Sequence, residues 1–138
     1  MAKRRRGARS ARLPGRAVRH RPFEALVDRA LAAIPEPFSA ALDEVAVIIA
    51  DEPTAQQLAD NGLTPDETLY GLYEGVPRTD YAADWAIEPN RISIFRLPLE
   101  ADYPDPDDLQ EEVRLTVIHE LAHHLGIDDD RLTELGVD

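Results

Sequence analysis

Two of the four histidines in this 138-residue chain stand four positions apart with a glutamate beside the first: His119-Glu120-x-x-His123. Gly126 follows three residues after the second histidine, and Asp129 three after that. On an α-helix, positions i and i+4 share a face, so the imidazoles of His119 and His123 can converge on one ion. Zn²⁺ accepts neutral imidazole nitrogens and carboxylate oxygens in a tetrahedron, and a catalytic zinc leaves one position for water. Glu120 stands beside that site, where it can take a proton from water activated by the metal without ligating the metal itself. Gly126 ends the helix in the left-handed conformation that glycine adopts cheaply, so the chain can turn back and offer Asp129. The stretch therefore reads as two ligands, a base, a turn and a third ligand within eleven consecutive residues.

From composition alone, His-Glu-x-x-His arises in roughly one such chain in a hundred, and the added Gly and Asp lower that to the order of one in ten thousand. The surroundings add to this. Between Leu115 and Leu125 the only carboxylate is Glu120, set among Leu, Val, Ile and Ala. A helix apolar on all sides is a buried helix. A buried glutamate beside two histidines is costly unless it is paired or near a metal. The competing reading makes His119 and His123 satisfied core histidines, with Glu120 a partner for one of them. His124 points well away from the His119/His123 face and reads as a support behind the site or a purely structural residue.

The whole pattern is HExxHxxGxxD, and three further segments accompany it: VIIADEP at 47–53, GLYEGVP at 71–77 and RISIFRLPLE at 91–100. On these residues the chain resembles the small bacterial minimal-zincin family of metallopeptidases, from about Phe23 to the C-terminus. The resemblance implies a zincin-like fold, with His119, His123 and Asp129 as zinc ligands and Glu120 as the general base.

Length points to one domain, and a hydrophobic content of 43% suffices for a single core. No apolar run approaches eighteen residues, so no membrane span is expected. The absence of cysteine excludes disulfides and thiolate metal sites. The formal charge is −12, unevenly spread: residues 1–22 hold nine of the fifteen basic residues and no acidic one, leaving six basic against 27 acidic, or −21, on the rest. Residues 1–22 have no hydrophobic segment behind their charges, which argues against a signal peptide and for a cytoplasmic chain. Their Gly, Pro, Ser and Arg content reads as a disordered basic arm. Such an arm could bind nucleic acid through counterion release, touch anionic lipid, fold back on the acidic body, or be a solvated tail. Residues 23–138 are expected to form the catalytic domain, as a monomer.

The elements that must position the motif follow from periodicity and turn chemistry. Phe23, Leu26, Val27, Ala30, Leu31 and Ile34 mark an amphipathic helix closed by Pro35 and Pro37, and a helical turn over Phe38 to Leu42 follows. The β-branched run Val45 to Ala50 predicts a buried strand. Residues 54–68 read as a loop with one helical turn over Ala55 to Asp60, Leu69 to Glu74 as a second strand, and 78–90 as a connection. Arg91 to Leu97 alternates apolar and polar, as does a strand with one buried face. Pro98 and an acidic loop from Glu100 to Asp105 come next. Asp105-Pro106-Asp107-Asp108 is a strong helix start, so the metal helix should run from Pro106 to Leu125. Asp128 or Asp130 could cap a last helix, Arg131 to Leu135, whose Leu132 and Leu135 would cover the core. The fold class expected is α+β: a small mixed sheet of three or four strands packed on an N-terminal helix and the buried metal helix.

The leading functional reading is zinc-dependent peptide-bond hydrolysis. Tyr70, Tyr73, Tyr81, Tyr103 and Arg131 are candidates to stabilise the oxyanion. An extended peptide would pair with an edge strand, for which Arg91 to Leu97 and Leu69 to Glu74 are both candidates. An acidic body would favour basic or unstructured peptide or protein substrates. A metal-dependent RNA endonuclease is the second reading: it has similar histidine spacing, but a third His where this chain has Asp129 and no Glu after the first His, and a −21 body repels RNA. A non-catalytic metal-binding module is the third, and Glu120 argues against it, since a structural site closes its fourth position with protein. Ser10, Ser39 and Ser93 lack the setting of a serine nucleophile.

Overall fold

The structure is a computed structural model and describes residues 4–6, 21–75 and 90–136. The elements run β1 (Arg4–Arg6), α1 (Arg21–Ala32), α2 (Phe38–Ala41), a 3₁₀ turn (Leu42–Glu44), β2 (Ala46–Ala50), α3 (Ala55–Asp60), β3 (Glu67–Leu69), β4 (Gly71–Glu74), β5 (Arg91–Phe95), α4 (Arg96–Asp102), α5 (Pro106–Leu125) and α6 (Asp129–Leu135). Helices and a small mixed sheet make an α+β fold. Three strands lie in the order β2-β5-β4, with β2 parallel and β4 antiparallel to β5. β1 and β3 form a separate antiparallel pair, with Arg4 opposite Leu69 and Arg6 opposite Glu67. The remainder of the basic arm, through residue 20, lies outside the described residues, as do most of the 78–90 connection and Tyr81.

The three-stranded sheet is covered on both faces. Ile92 and Ile94 of β5 join the main core with Phe23, Leu26, Val27 and Ala30 of α1, Phe38 of α2, and Val113, Val117, Ile118 and Leu121 of α5. On the opposite face Phe95 packs with Leu58, Leu63, Leu69 and Leu72. β5 is therefore buried on both faces, where its alternation predicts one. β2 differs in the other direction. Its unbroken apolar run predicts a buried strand, yet β2 lies at the edge of the sheet: Val47 and Ile49 pack on the core, while Ile48 is 43% exposed. Periodicity reports which residues are apolar, and the elements packed on each face decide which of them are covered.

Two more boundaries depart from expectation. The strand ends at Phe95, and Arg96 opens α4, so the segment holding Pro98 and Glu100 is helical. Pro98 is the third residue of that helix, within the first turn where no intrahelical N–H donor is required. The last helix begins at Asp129 rather than Arg131; Leu132 is buried, but Leu135 is 39% exposed and does not cover the core.

The metal-motif helix matches its sequence signals closely. The Asp105 side chain accepts from the Asp107 and Asp108 amides at 2.8 and 3.3 Å, and Pro106 takes the first helical position. At the other end Gly126 has φ 75°, with Ile127 N–H donating to the Ala122 carbonyl at 2.8 Å and Gly126 N–H to that of His123 at 3.2 Å. That pair of bonds is a Schellman stop. The helix packs along α1 and against β4.

Candidate active site

The sides of α5 are unequal. Val113, Thr116, Val117, Glu120, Leu121 and His124 are buried, while Leu115, His119 and His123, spaced by four, form a half-buried strip. The two imidazoles thus share one helix face, and that face is the least covered part of this stretch. His119 Nδ1 lies 2.9 Å from the Leu115 carbonyl one turn back. A carbonyl can only accept, so Nδ1 carries the proton and Nε2 is left as a lone-pair donor, as a metal-ligating histidine requires. The His123 side chain is 35% exposed, with Nδ1 3.6 Å from Glu120 Oε1.

Glu120 is fully buried between them in sequence. Its Oε1 accepts the Tyr73 backbone N–H at 2.6 Å, whereas Oε2 is buried with no hydrogen-bond partner among the described residues. Burial raises its pKa to about 7 from 4.5, against the lowering effect of the Tyr73 amide. A buried carboxylate oxygen without a donor is costly, and a proton or a nearby cation removes that cost. Two imidazoles with a lone pair free on His119 and an orphaned carboxylate oxygen are a donor set suited to a divalent metal and its water. Those residues supply two of the ligands that a zinc site would need.

The third position is differently placed. Asp128 caps α6, its side chain accepting the Arg131 amide at 2.8 Å. Asp129 then falls in the first helical turn, exposed, and Asp130 follows it there. Two of the three aspartates are therefore helical, and the third caps their helix. Among the described residues no three His, Asp or Glu side chains lie close enough together to hold a metal. His119 and His123 share one face of α5 and His123 lies beside Glu120, while Asp129 stands in a short helix directly beyond the Gly126 turn. Glu134 is exposed and paired with Arg131 at 2.8 Å.

The described candidate oxyanion donors are engaged in other contacts. The Tyr70 hydroxyl donates to Asp102, and its pKa is raised first by burial and then by that carboxylate. Tyr103 lies edge-on to Tyr70, with ring centroids 5.9 Å apart, and is raised by burial and by Glu112. The Tyr73 hydroxyl is 3.1 Å from both His124 Nδ1 and Asn90 Oδ1. Between the two edge-strand candidates the sheet order decides: β5 is central, and β4 has β5 on one side only among the described strands.

Two participants have no signal in the sequence. Tyr73 acts through its backbone amide, which no side-chain pattern encodes. Glu44, whose Oε1 lies 2.6 Å from His124 Nε2, sits in the 3₁₀ turn 80 positions away from it and outside every motif.

Comparison with known proteins speaks at the level of the family. A search of curated proteins returns no match. A profile of zincin-like metallopeptidases matches residues 42–137, a span from the 3₁₀ turn that supplies Glu44 through the last helix. That family implies a divalent metal, typically zinc, and no helix among the described residues is long and apolar enough to cross a membrane. With the match covering well over half of its length, this chain belongs to the zincin-like metallopeptidase family.

Proposed function

We propose that this protein is a zinc-dependent peptidase in which His119 and His123, completed by Asp129, hold the metal and Glu120 is the general base. The observation that carries this reading is the state of Glu120: one oxygen held by the Tyr73 amide, the other buried and unpartnered, and a pKa pushed up to about 7 by burial. A base works best with a pKa near the working pH. A carboxylate held by one oxygen presents the other in a constant direction.

Zinc supplies Lewis acidity, polarising a carbonyl and acidifying water. Glu120 Oε2 accepts the proton of the attacking water and returns it to the departing amide nitrogen. His119 and His123 would hold the metal from one helix face, His119 with its tautomer set by the Leu115 carbonyl. Asp129, exposed at the start of α6, is a carboxylate that metal binding can recruit, since ligand closure and local folding are coupled. The β4 edge, apart from the Tyr73 amide that Glu120 holds, is where an extended peptide would add by main-chain pairing, and the −21 charge beyond the arm favours basic peptide segments.

The test is metal analysis of wild type and Glu120→Gln alongside a broad peptide-cleavage screen. One zinc per chain in both, with cleavage only by wild type, is the expected result. Loss of zinc in Glu120→Gln would make Glu120 a ligand, and absence of stoichiometric zinc in both at neutral pH would remove the zincin mechanism.

A further inference from the structure

We propose that His124, clamped between Glu44 and Tyr73, is a positioning residue that holds the edge strand β4 against the base Glu120. The proposal rests on the reading of Glu120 as general base and adds what keeps that base aimed. It starts from a weakness. Glu120 has a single hydrogen-bond partner among the described groups, the Tyr73 amide, and Tyr73 belongs to a four-residue strand at the edge of the sheet. Edge strands of this length open readily.

The sheet register explains why that amide is available. Phe95 N–H donates to the Tyr70 carbonyl, which makes 70/95 a hydrogen-bonded pair; Leu72 opposite Ser93 and Glu74 opposite Arg91 repeat it two residues apart. Tyr73, between them, turns its N–H away from β5 and toward Glu120. Its side chain lies on the α5 side of the sheet, while Leu72 packs on the opposite side. There the hydroxyl is 3.1 Å from His124 Nδ1, with the rings 5.7 Å apart between centroids. His124 itself is fully buried, and its Nε2 lies 2.6 Å from Glu44 Oε1. The 3₁₀ turn, the metal helix and the edge strand are thus tied by one chain of polar contacts, Glu44–His124–Tyr73. A second contact joins the same hydroxyl to Asn90, whose side chain fills the space a Cβ would need at Gly75, where φ is +144°.

Tyr73 consequently touches the site at two points: its amide on Glu120, and its hydroxyl on the residue directly following His123. His124 lies on the buried side of the helix, away from the half-buried strip of His119 and His123, and acts on the chemistry through Tyr73. A side chain placed merely to fill the core there would need neither partner, and burying an imidazole is favourable only when both nitrogens are engaged.

The test is residue-resolved amide exchange with parallel kinetics on zinc-loaded His124→Phe and Tyr73→Phe. Each variant keeps an aromatic ring and removes the polar link. The Tyr73 amide should exchange at least about tenfold faster in both, consistent with the loss of one buried hydrogen bond, while the β5 amides of Ile92 and Ile94 keep wild-type protection. Where cleavage is measurable, kcat should fall with KM and zinc stoichiometry unchanged, and His124→Gln, which retains a donor and an acceptor, should restore part of it. Unchanged protection at Tyr73 would overturn the proposal. So would uniform loosening of Tyr73, Ile92 and Ile94 together, which would make His124 a packing residue. If His124→Phe does not fold, Tyr73→Phe decides alone, since it removes only a hydroxyl. The exchange readout does not need turnover, so a chain that cleaves nothing would count against the peptidase reading and leave the clamp to be judged by Tyr73 protection.

Discussion

Two buried charged groups lie on opposite sides of this sheet's central strand, and their surroundings differ in completeness. Arg96, at the junction of β5 and α4, is buried with Nε and Nη2 on Asp51 Oδ1 at 3.2 and 3.0 Å and Nη1 on Glu100 Oε1 at 2.6 Å. The Leu97 amide donates to the Asp51 carbonyl as well, tying the end of β2 to the start of α4. Glu120 has one amide and an orphaned oxygen. Both are charges taken out of water, which is expensive unless the geometry satisfies them. Arg96 is satisfied by the protein, so its role ends at holding elements together. Glu120 is left incomplete, and an incomplete buried carboxylate between two histidines is a place for a proton, a water or a cation. Completeness of partners, more than burial, separates the two roles.

The contrast can be broken most directly at Glu120. Glu120→Gln should reduce peptide cleavage by at least about a hundredfold, within the range for general acid–base catalysis, while zinc content stays at one per chain. Cleavage within a few-fold of wild type would show that Glu120 is not the base.

Next in size is the metal. Asp129→Ala should weaken zinc affinity by more than the 10–100-fold typical of residues behind the ligands, with Asp128→Ala and Asp130→Ala much closer to wild type. Competition with a chromophoric chelator measures this. If Asp128→Ala or Asp130→Ala is the variant that releases zinc, the ligand set is wrong. If all three are neutral, Glu134 is the next carboxylate to test.

Stability sharpens the comparison because the two substitutions should have opposite signs. In metal-stripped protein the folded pKa of Glu120 is raised to about 7, against an ordinary value of 4.5. Below 4.5 both folded and unfolded chains hold the proton and Glu120 costs little. Between 4.5 and 7 the unfolded chain releases it and the folded one does not, so stability falls as pH rises and levels off above 7. The total is about 3 kcal/mol. Glu120→Gln should therefore be more stable than wild type at pH 8 and nearly equal at pH 4.5, in urea titrations with chelator present. A parallel pH dependence in the two proteins would contradict the burial argument.

The smallest effect is expected at Arg96. Arg96→Met should destabilise by about 1–3 kcal/mol, less than for a fully buried pair because Asp51 and Glu100 remain partly solvated. Zinc affinity should not change. A shift in zinc affinity would mean that the two clusters are coupled through β5.

Much of the architecture could be read in the residues themselves. Asp105-Pro106 and Gly126 bound the metal helix because capping and left-handed turns are local chemistry, settled within a few residues. The same holds for Thr54, which forms a reciprocal capping box with Gln57 at the start of α3. Expectations missed where neighbours decide. Val45 to Ala50 is apolar throughout, but Ile48 stays exposed, and Arg91 to Phe95 is buried on both faces because the α1 and α5 core covers one and the cluster of Leu58, Leu63, Leu69 and Leu72 the other. Segments 47–53, 71–77 and 91–100, which carry the family resemblance, turn out to supply β2, β4, β5 and the start of α4, and with them Asp51, Tyr73, Arg96 and Glu100.

The sequence by itself determined the candidate chemistry: His119 and His123 on one helical face, Glu120 beside them, and a turn at Gly126, all consequences of a 3.6-residue repeat and of glycine's conformational freedom. Only the tertiary structure decided what surrounds that chemistry. The Tyr73 amide on Glu120 and the Glu44 carboxylate on His124 join residues whose relation depends on strand order and packing. Local rules act over one or two turns of chain, whereas a buried carboxylate takes its partners from whichever elements the core brings against it.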